Sequence, residues 1–309
     1  MAKARDGDAR AVARLISLVE DQSPLLGELA RLLAPFTGHA HVVGLTGAPG
    51  VGKSTTTSAL VTALRASGRR VGVLAVDPSS PFTGGALLGD RVRMQEHATD
   101  AGVFIRSMAT RGHLGGLAAA APQAVRVLDA AGCDVVLIET VGVGQSEVEV
   151  AGLADTTVVL LAPGMGDAIQ AAKAGILEIG NVYCVNKADR DGADVTTREL
   201  RTMLAIGRNV EADEAPQWRP PILKTVASRA EGIDELLSEI DRHRAHLVDH
   251  DELEVRRRRR ARAEIEALVV ADVRARLLQG DASAMLDRLA ADVVSGVTDP
   301  YSAAATLTP

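Results

Sequence analysis

Aromatic residues are nearly missing from this chain: three Phe, two Tyr and one Trp make up 2% of 309 residues. Stacking platforms for single-stranded nucleic acid are therefore scarce, and an aliphatic core of Ala, Val and Leu is the alternative. A basic excess is missing too. The formal net charge of −6 supplies no long-range attraction for nucleic-acid phosphates or anionic membranes. Neither is an expected partner, which leaves other proteins. Only Cys133 and Cys184 occur, each in or beside an apolar run, which fits a reducing compartment better than a disulfide or metal framework. They read as reduced, buried thiols. No apolar run approaches the ~20 residues of a membrane span. The start MAKARDGDAR has no apolar signal region, so a cytoplasmic protein is expected.

What remains is ordinary globular composition, 47% hydrophobic and 24% charged. Apolar positions Val12, Leu15, Ile16 and Val19, then Leu25, Leu29 and Leu32, recur at helical spacing, with Ser23-Pro24 as cap and first-turn pair of the second segment. After Gly38 the pattern changes to short Val/Leu/Ile runs at 41–46, 71–76, 103–106, 134–139, 156–162, 182–186 and 222–226, separated by helical stretches. Strands alternating with helices predict an α/β fold: a mostly parallel central sheet covered on both faces, its ligands beyond the carboxyl ends of the strands. From Glu231 the chain turns helical and more charged, with a run of arginines from Arg256 to Arg260 flanked by acids. That flanking favours mutual compensation on a solvated helix over nucleic-acid binding. Beyond it, Leu268, Val269, Val273, Leu277 and Leu278, then Met285, Leu286 and Leu289, form a greasy face whose outlets are the core or, preferably, a second copy of the chain. The end, SAAATLTP, is expected to be loosely held. The expected division is an N-terminal helical segment (1–37), a nucleotide-binding domain (38–248) and a C-terminal helical arm (249–309).

Gly47-Ala48-Pro49-Gly50-Val51-Gly52-Lys53-Ser54 fits GxxxxGK[ST] between an apolar strand and a helix. Such a loop turns backbone N–H groups inward around phosphate at a helix N-terminus, with Lys53 on the β- and γ-phosphates, Ser54 on Mg²⁺ and Thr55 following in the first turn. Asp77, at the end of the next strand, is the first choice for a Mg²⁺ carboxylate; Asp90, after Gly89, reads equally as a second ligand or a helix cap. Glu139-Thr140-Val141-Gly142 ends the fourth strand, where the Gly142 amide can sense a γ-phosphate. Position 143 is Val, and Gln145 lies two residues further on. Without a glutamine after the glycine to orient water, unassisted hydrolysis is expected on the order of 10⁻³ s⁻¹.

Asn186-Lys187-Ala188-Asp189 chooses the base. A carboxylate accepts both N1–H and the 2-amino group of guanine, whereas adenine offers neither, so GTP and GDP are the expected nucleotides. The Lys187 stem can cover the ring, Asn186 can tie this loop to the P-loop, and Ala227-Ser228 can offer an amide to the base. Asp167, Gln170 and Lys173 share a helix face after Pro163-Gly164, a pattern that a capping Asp alone would also give.

VDPSSPFTGGALLGDRVRM, ETVGVGQSE, PGMGDAIQAAKAGILE and NKAD together resemble the MeaB family of GTPases, which includes the methylmalonic aciduria type A protein and is also known as ArgK-like transport ATPases or kinases. The likeness runs over nearly the whole chain. It implies a P-loop GTPase that acts as a chaperone of adenosylcobalamin-dependent methylmalonyl-CoA mutase, gating cofactor loading, and that dimerises through its C-terminal helices. It further implies that Asp167 to Lys173 form a partner-coupled switch, with Lys53, Glu139, Asp167 and Lys173 the catalytic set and Glu139 also a Mg²⁺ ligand. No D-x-H-x-x-G corrinoid motif is present, so the mutase is expected as a separate protein. Gly180-Asn181 departs from the acid expected there. A kinase of a basic amino-acid transport system and a metal-insertion GTPase are the competing readings; the latter wants His- or Cys-rich ligand sets that seven scattered His and two Cys do not supply.

Overall fold

The computed structural model describes residues 2–78, 95–97, 99–110, 116–140, 151–164, 178–206 and 218–307. Seven strands form one sheet: β1 (His41–Thr46), β2 (Val71–Pro78), β3 (Val103–Thr110), β4 (Val135–Thr140), β5 (Thr156–Leu161), β6 (Val182–Asn186) and β7 (Ile222–Thr225). Their order is β3-β2-β4-β1-β5-β6-β7, and every pairing is parallel. Each expected strand is present, within a few residues of its expected ends. All six residues of β1, β4 and β5 are buried, which is why each carries a continuous apolar stretch, 42–45, 135–138 and 158–161, with its polar residues at the strand ends.

Alternate residues supply the two faces. Val42, Val136 and Ile138 pack with α1 (Ala2–Arg5), α2 (Ala9–Glu20), α3 (Leu26–Leu33) and the helix Gly116–Ala130. Val43, Leu45, Val135 and Leu137 pack with α4 (Lys53–Ala66) and the helix Ile233–Asp249. Helix α2 starts where Asp8 accepts the Arg10 and Ala11 amides at 2.9 and 3.0 Å, and it buries Val12, Ile16 and Val19, one stripe. The second N-terminal helix starts slightly later than Ser23-Pro24 suggests: Leu25 is its cap, and Ser23 instead accepts the Leu25 amide in the preceding turn.

Continuing in chain order, α5 is Gly116–Ala130, α6 Ala193–Ile206, α7 Ile233–Asp249, α8 Glu252–Leu277, α9 Gly280–Val294 and α10 Pro300–Leu307. The chain divides into two compact units, Met1–Arg260 and Ala261–Pro309.

Within the first unit, the arginine run does more than compensate its neighbours. Arg257 and Arg260 reach the fully buried Asp155 at 3.2 and 3.1 Å, and Arg257 also donates to the Ala40 carbonyl at 3.0 Å. Burial pushes the Asp155 carboxyl up, and the two guanidiniums outweigh it, leaving the group below the usual carboxylate range. Mutual compensation describes Arg258 with Glu254 and Arg256 with Glu252.

In the second unit Pro300–Leu307 is helical, with Asp299 capping it by accepting the Tyr301 and Ser302 amides at 2.9 and 3.0 Å.

Candidate nucleotide site

The loop after β1 is held between its neighbours by glycine. Gly47 has φ 142°, and a Cβ there would fall onto the Leu160 carbonyl oxygen of β5. Gly52 has φ 99°, and its Cβ would collide with the Asn186 amide nitrogen. Gly52 is also the cap residue of α4 and, lacking a side chain, leaves the first-turn amides open to an anion on the axis of a 14-residue helix. Lys53 is buried, its Nζ donating to the Gly47 and Ala48 carbonyls at 2.6 and 3.1 Å. The ammonium thus sits inside the loop that would surround a phosphate. Val51 is buried, whereas Pro49, Gly50 and Thr55 are exposed and Ala48 half-buried.

Ser54 Oγ donates to Glu139 Oε1 at 2.5 Å, joining the first turn of α4 to the end of β4 across 85 residues. Both groups are buried, Glu139 at 3% exposure. A hydroxyl and a carboxylate converging beside a phosphate-type loop are hard oxygen donors of the kind Mg²⁺ takes.

The NKAD loop at the end of β6 is built against this cradle. Asn186 Nδ2 donates to the Val51 carbonyl at 2.8 Å, while Asn186 Oδ1 accepts from Thr225 Oγ1 and from the Ala227 amide, both at 3.1 Å. Lys187, at φ 56°, returns its Nζ to the Gly50 carbonyl at 2.5 Å. The Ala188 amide donates to the Thr225 carbonyl at 3.0 Å, leaving Asp189 and Ser228 at the surface. The Ala227 amide is therefore engaged in bracing Asn186.

Asp77 lies next to last in β2, its main chain paired with Ala109. Asp90, Gly142, Asp167, Gln170 and Lys173 lie outside the described residues. Sequence reasoning missed Thr225, which holds Asn186 from the next strand, and Arg229, whose guanidinium lies 3.7 Å from Asp189. Thr225 lies inside the expected strand run, two residues before Ala227, a position that could have flagged it; Arg229 had no signal beyond being charged. Both cysteines are buried, and burial pushes their thiols up to about 12. Asn181, the residue departing from the expected acid, accepts the Thr157 amide at 2.9 Å at the opposite end of β6. No helix among the described residues is long and apolar enough to cross a membrane.

Residues 12–282 match the family described as methylmalonyl Co-A mutase-associated GTPase MeaB. A Pyrococcus abyssi protein carried under a GTPase name is 48% identical over 306 residues, spanning 97% of this chain and 92% of its own. GTPase ArgK of Escherichia coli is 39% identical over 236 residues, 75% of this chain and 71% of its own. The mitochondrial methylmalonic aciduria type A homolog of Mus musculus is 35% identical over 268 residues, 81% of this chain and 64% of its own. Among solved structures, the LAO/AO transport system kinase matches with a TM-score of 0.73 at 27% identity, covering 99% of this chain and 94% of that one.

Proposed function

This chain belongs to the MeaB family of GTPases, and on that premise we propose that it is a guanine-nucleotide switch that gates cofactor loading of, and protects, an adenosylcobalamin-dependent methylmalonyl-CoA mutase. The supporting observation is the double role of Asn186, which joins the phosphate loop at Val51 and the turn at Ala227 into one body. A carboxylate at 189 and a lysine at 53 are thereby held on a common frame.

In this reading the loop from Gly47 to Thr55, through its backbone amides other than at Pro49, and the Lys53 ammonium bind the phosphates. Gly142 senses the γ-phosphate, Asp189 reads guanine, Lys187 covers its ring, and the turn at Ala227-Ser228 closes the base pocket. Ser54 and Glu139, with Asp77 and then Asp90, would hold Mg²⁺, which when bound neutralises charge between the β- and γ-phosphates. Glu139, Asp167 and Lys173 serve the partner-stimulated hydrolysis. Residues 1–37, 38–248 and 249–309 are the helical segment, GTPase domain and dimer arm of this cytoplasmic homodimer.

The partner is supported by the description of the matching family and by the name of the murine relative. Adding methylmalonyl-CoA mutase to the purified chain should raise GTP turnover several-fold and Lys173→Ala should remove the rise. No stimulation by any cobalamin mutase defeats the partner assignment. The likeness to a protein named as a transport system kinase favours a second reading, an ATP-using kinase of a basic amino-acid transport system; ATP displacing GTP at equal concentration would revive it.

A further inference from the structure

We infer that Arg229 is a positioning and specificity-determining residue for guanine recognition, acting through Asp189; this rests on the reading of Asp189 as the base selector. Arg229 ends a tight turn, Ala227–Arg229, whose form is fixed independently of the side chain. Val226 and Glu231 close it as an antiparallel bridge, Val226 N to Glu231 O at 3.0 Å and the reverse bond at 3.3 Å. Ala230 makes the bend in the left-handed region at φ 57°, and the Arg229 amide donates to the Val226 carbonyl at 2.8 Å. The same turn gives its Ala227 amide to Asn186, three residues before Asp189. The turn and the base-reading loop are thus joined at one end through the Ala227 amide and the Asn186 side chain.

The guanidinium joins them at the other. Arg229 Nε lies 2.9 Å from Glu231 Oε1, and its Nη2 faces Asp189 Oδ2 at 3.7 Å. The planar fork is therefore aimed by one carboxylate at the other, an arrangement a lysine cannot reproduce. Asp189 needs both oxygens presented in one plane to accept N1–H and the 2-amino group together. A cation fixed beside one oxygen limits the rotation of that carboxylate before a base arrives, which lowers the ordering cost of binding. All three side chains are about half exposed, so a modest effect is expected.

The test is competition of GDP and ADP against a fluorescent guanine nucleotide, at low and high salt. Asp189→Asn is measured first. A GDP-over-ADP preference that survives it defeats the base-selector reading itself, apart from any effect of Arg229. If Asp189→Asn abolishes the preference, Arg229→Gln should lower the GDP-to-ADP affinity ratio about two- to fivefold. ADP affinity should stay unchanged, the loss should shrink at high salt, and Arg229→Lys should recover only part of it. Glu231→Gln should show a smaller loss in the same direction. In the Asp189→Asn background Arg229→Gln should add nothing, because the carboxylate it acts through is gone. Equal losses for GDP and ADP, an unchanged or increased GDP preference, or additivity with Asp189→Asn would each overturn the inference.

Discussion

Gly52 satisfies two demands that no other residue type meets together. Its φ of 99° is strained for any L side chain, and the space a Cβ would take is occupied by the Asn186 amide that ties the NKAD loop to Val51. Gly50 provides the comparison, since its φ is 79° but a Cβ there would meet nothing within 4 Å. Gly50→Ala should therefore cost only backbone strain, ~1 kcal/mol. Gly52→Ala should in addition displace Asn186 and weaken GDP binding at least tenfold, read by titration calorimetry beside thermal unfolding. Equal effects would mean that protecting Asn186 is not what Gly52 does. The GxxxxGK[ST] and NKAD motifs were legible because their residues are contiguous. Thr225 against Asn186 and Arg229 against Asp189 were not, because a contact across 39 or 40 residues leaves no periodicity in the sequence.

At the level of elements, β1, β5 and α7 meet in a buried polar relay that the composition gave no reason to expect. The Thr156 hydroxyl lies 2.8 Å from both His41 Nε2 and His243 Nδ1. The hydroxyl can donate to one ring and accept from the other, the roles following the ring tautomers, and burial keeps both rings neutral at neutral pH. Burial takes His41 down to about 4, with Asp155 and Asp241 opposing and Arg244 and Arg257 adding to the fall. Burial likewise takes His243 down to about 3, helped by Arg256, His41 and His246 and opposed by Asp155. The unfolded chain protonates both rings near the usual 6.5, so the unfolded state binds more protons from there down to about 4. Stability is therefore full above about 6.5 and falls as pH drops, by as much as ~1.4 kcal/mol per unit for each histidine. Asp155, already depressed, acts only below this window.

Urea unfolding between pH 4.5 and 7, followed by the single tryptophan, tests this, since Trp218 lies 4.8 Å from the His243 ring. His41→Gln should flatten the slope by about one proton, and an unchanged slope sinks the account. The arginine run belongs to the same junction. Its composition suggested a solvated face because flanking acids are visible in sequence, whereas Asp155, the partner of Arg257 and Arg260, is about a hundred residues away.

On the scale of the whole molecule, the inner strands β1, β4, β5 and β6 were legible one by one because burial on both faces removes polar alternation. The order of the strands was not, since nothing local records which run lies beside which. The second compact unit poses the remaining question. On α8, Ile265, Leu268, Val269 and Val273 follow helical spacing and are each 47–64% exposed. A stripe of this kind on a charged helix is costly to leave in water, and a second copy offers the self-complementary surface that would cover it. Sedimentation at micromolar concentration should then show a dimer, and Val269→Glu a monomer, with GDP affinity unchanged because the nucleotide loops all belong to the first unit, and with unfolding that no longer depends on protein concentration. A monomeric parent chain, or a Val269→Glu variant that dimerises with undiminished affinity, would mean that this stripe has some other occupant.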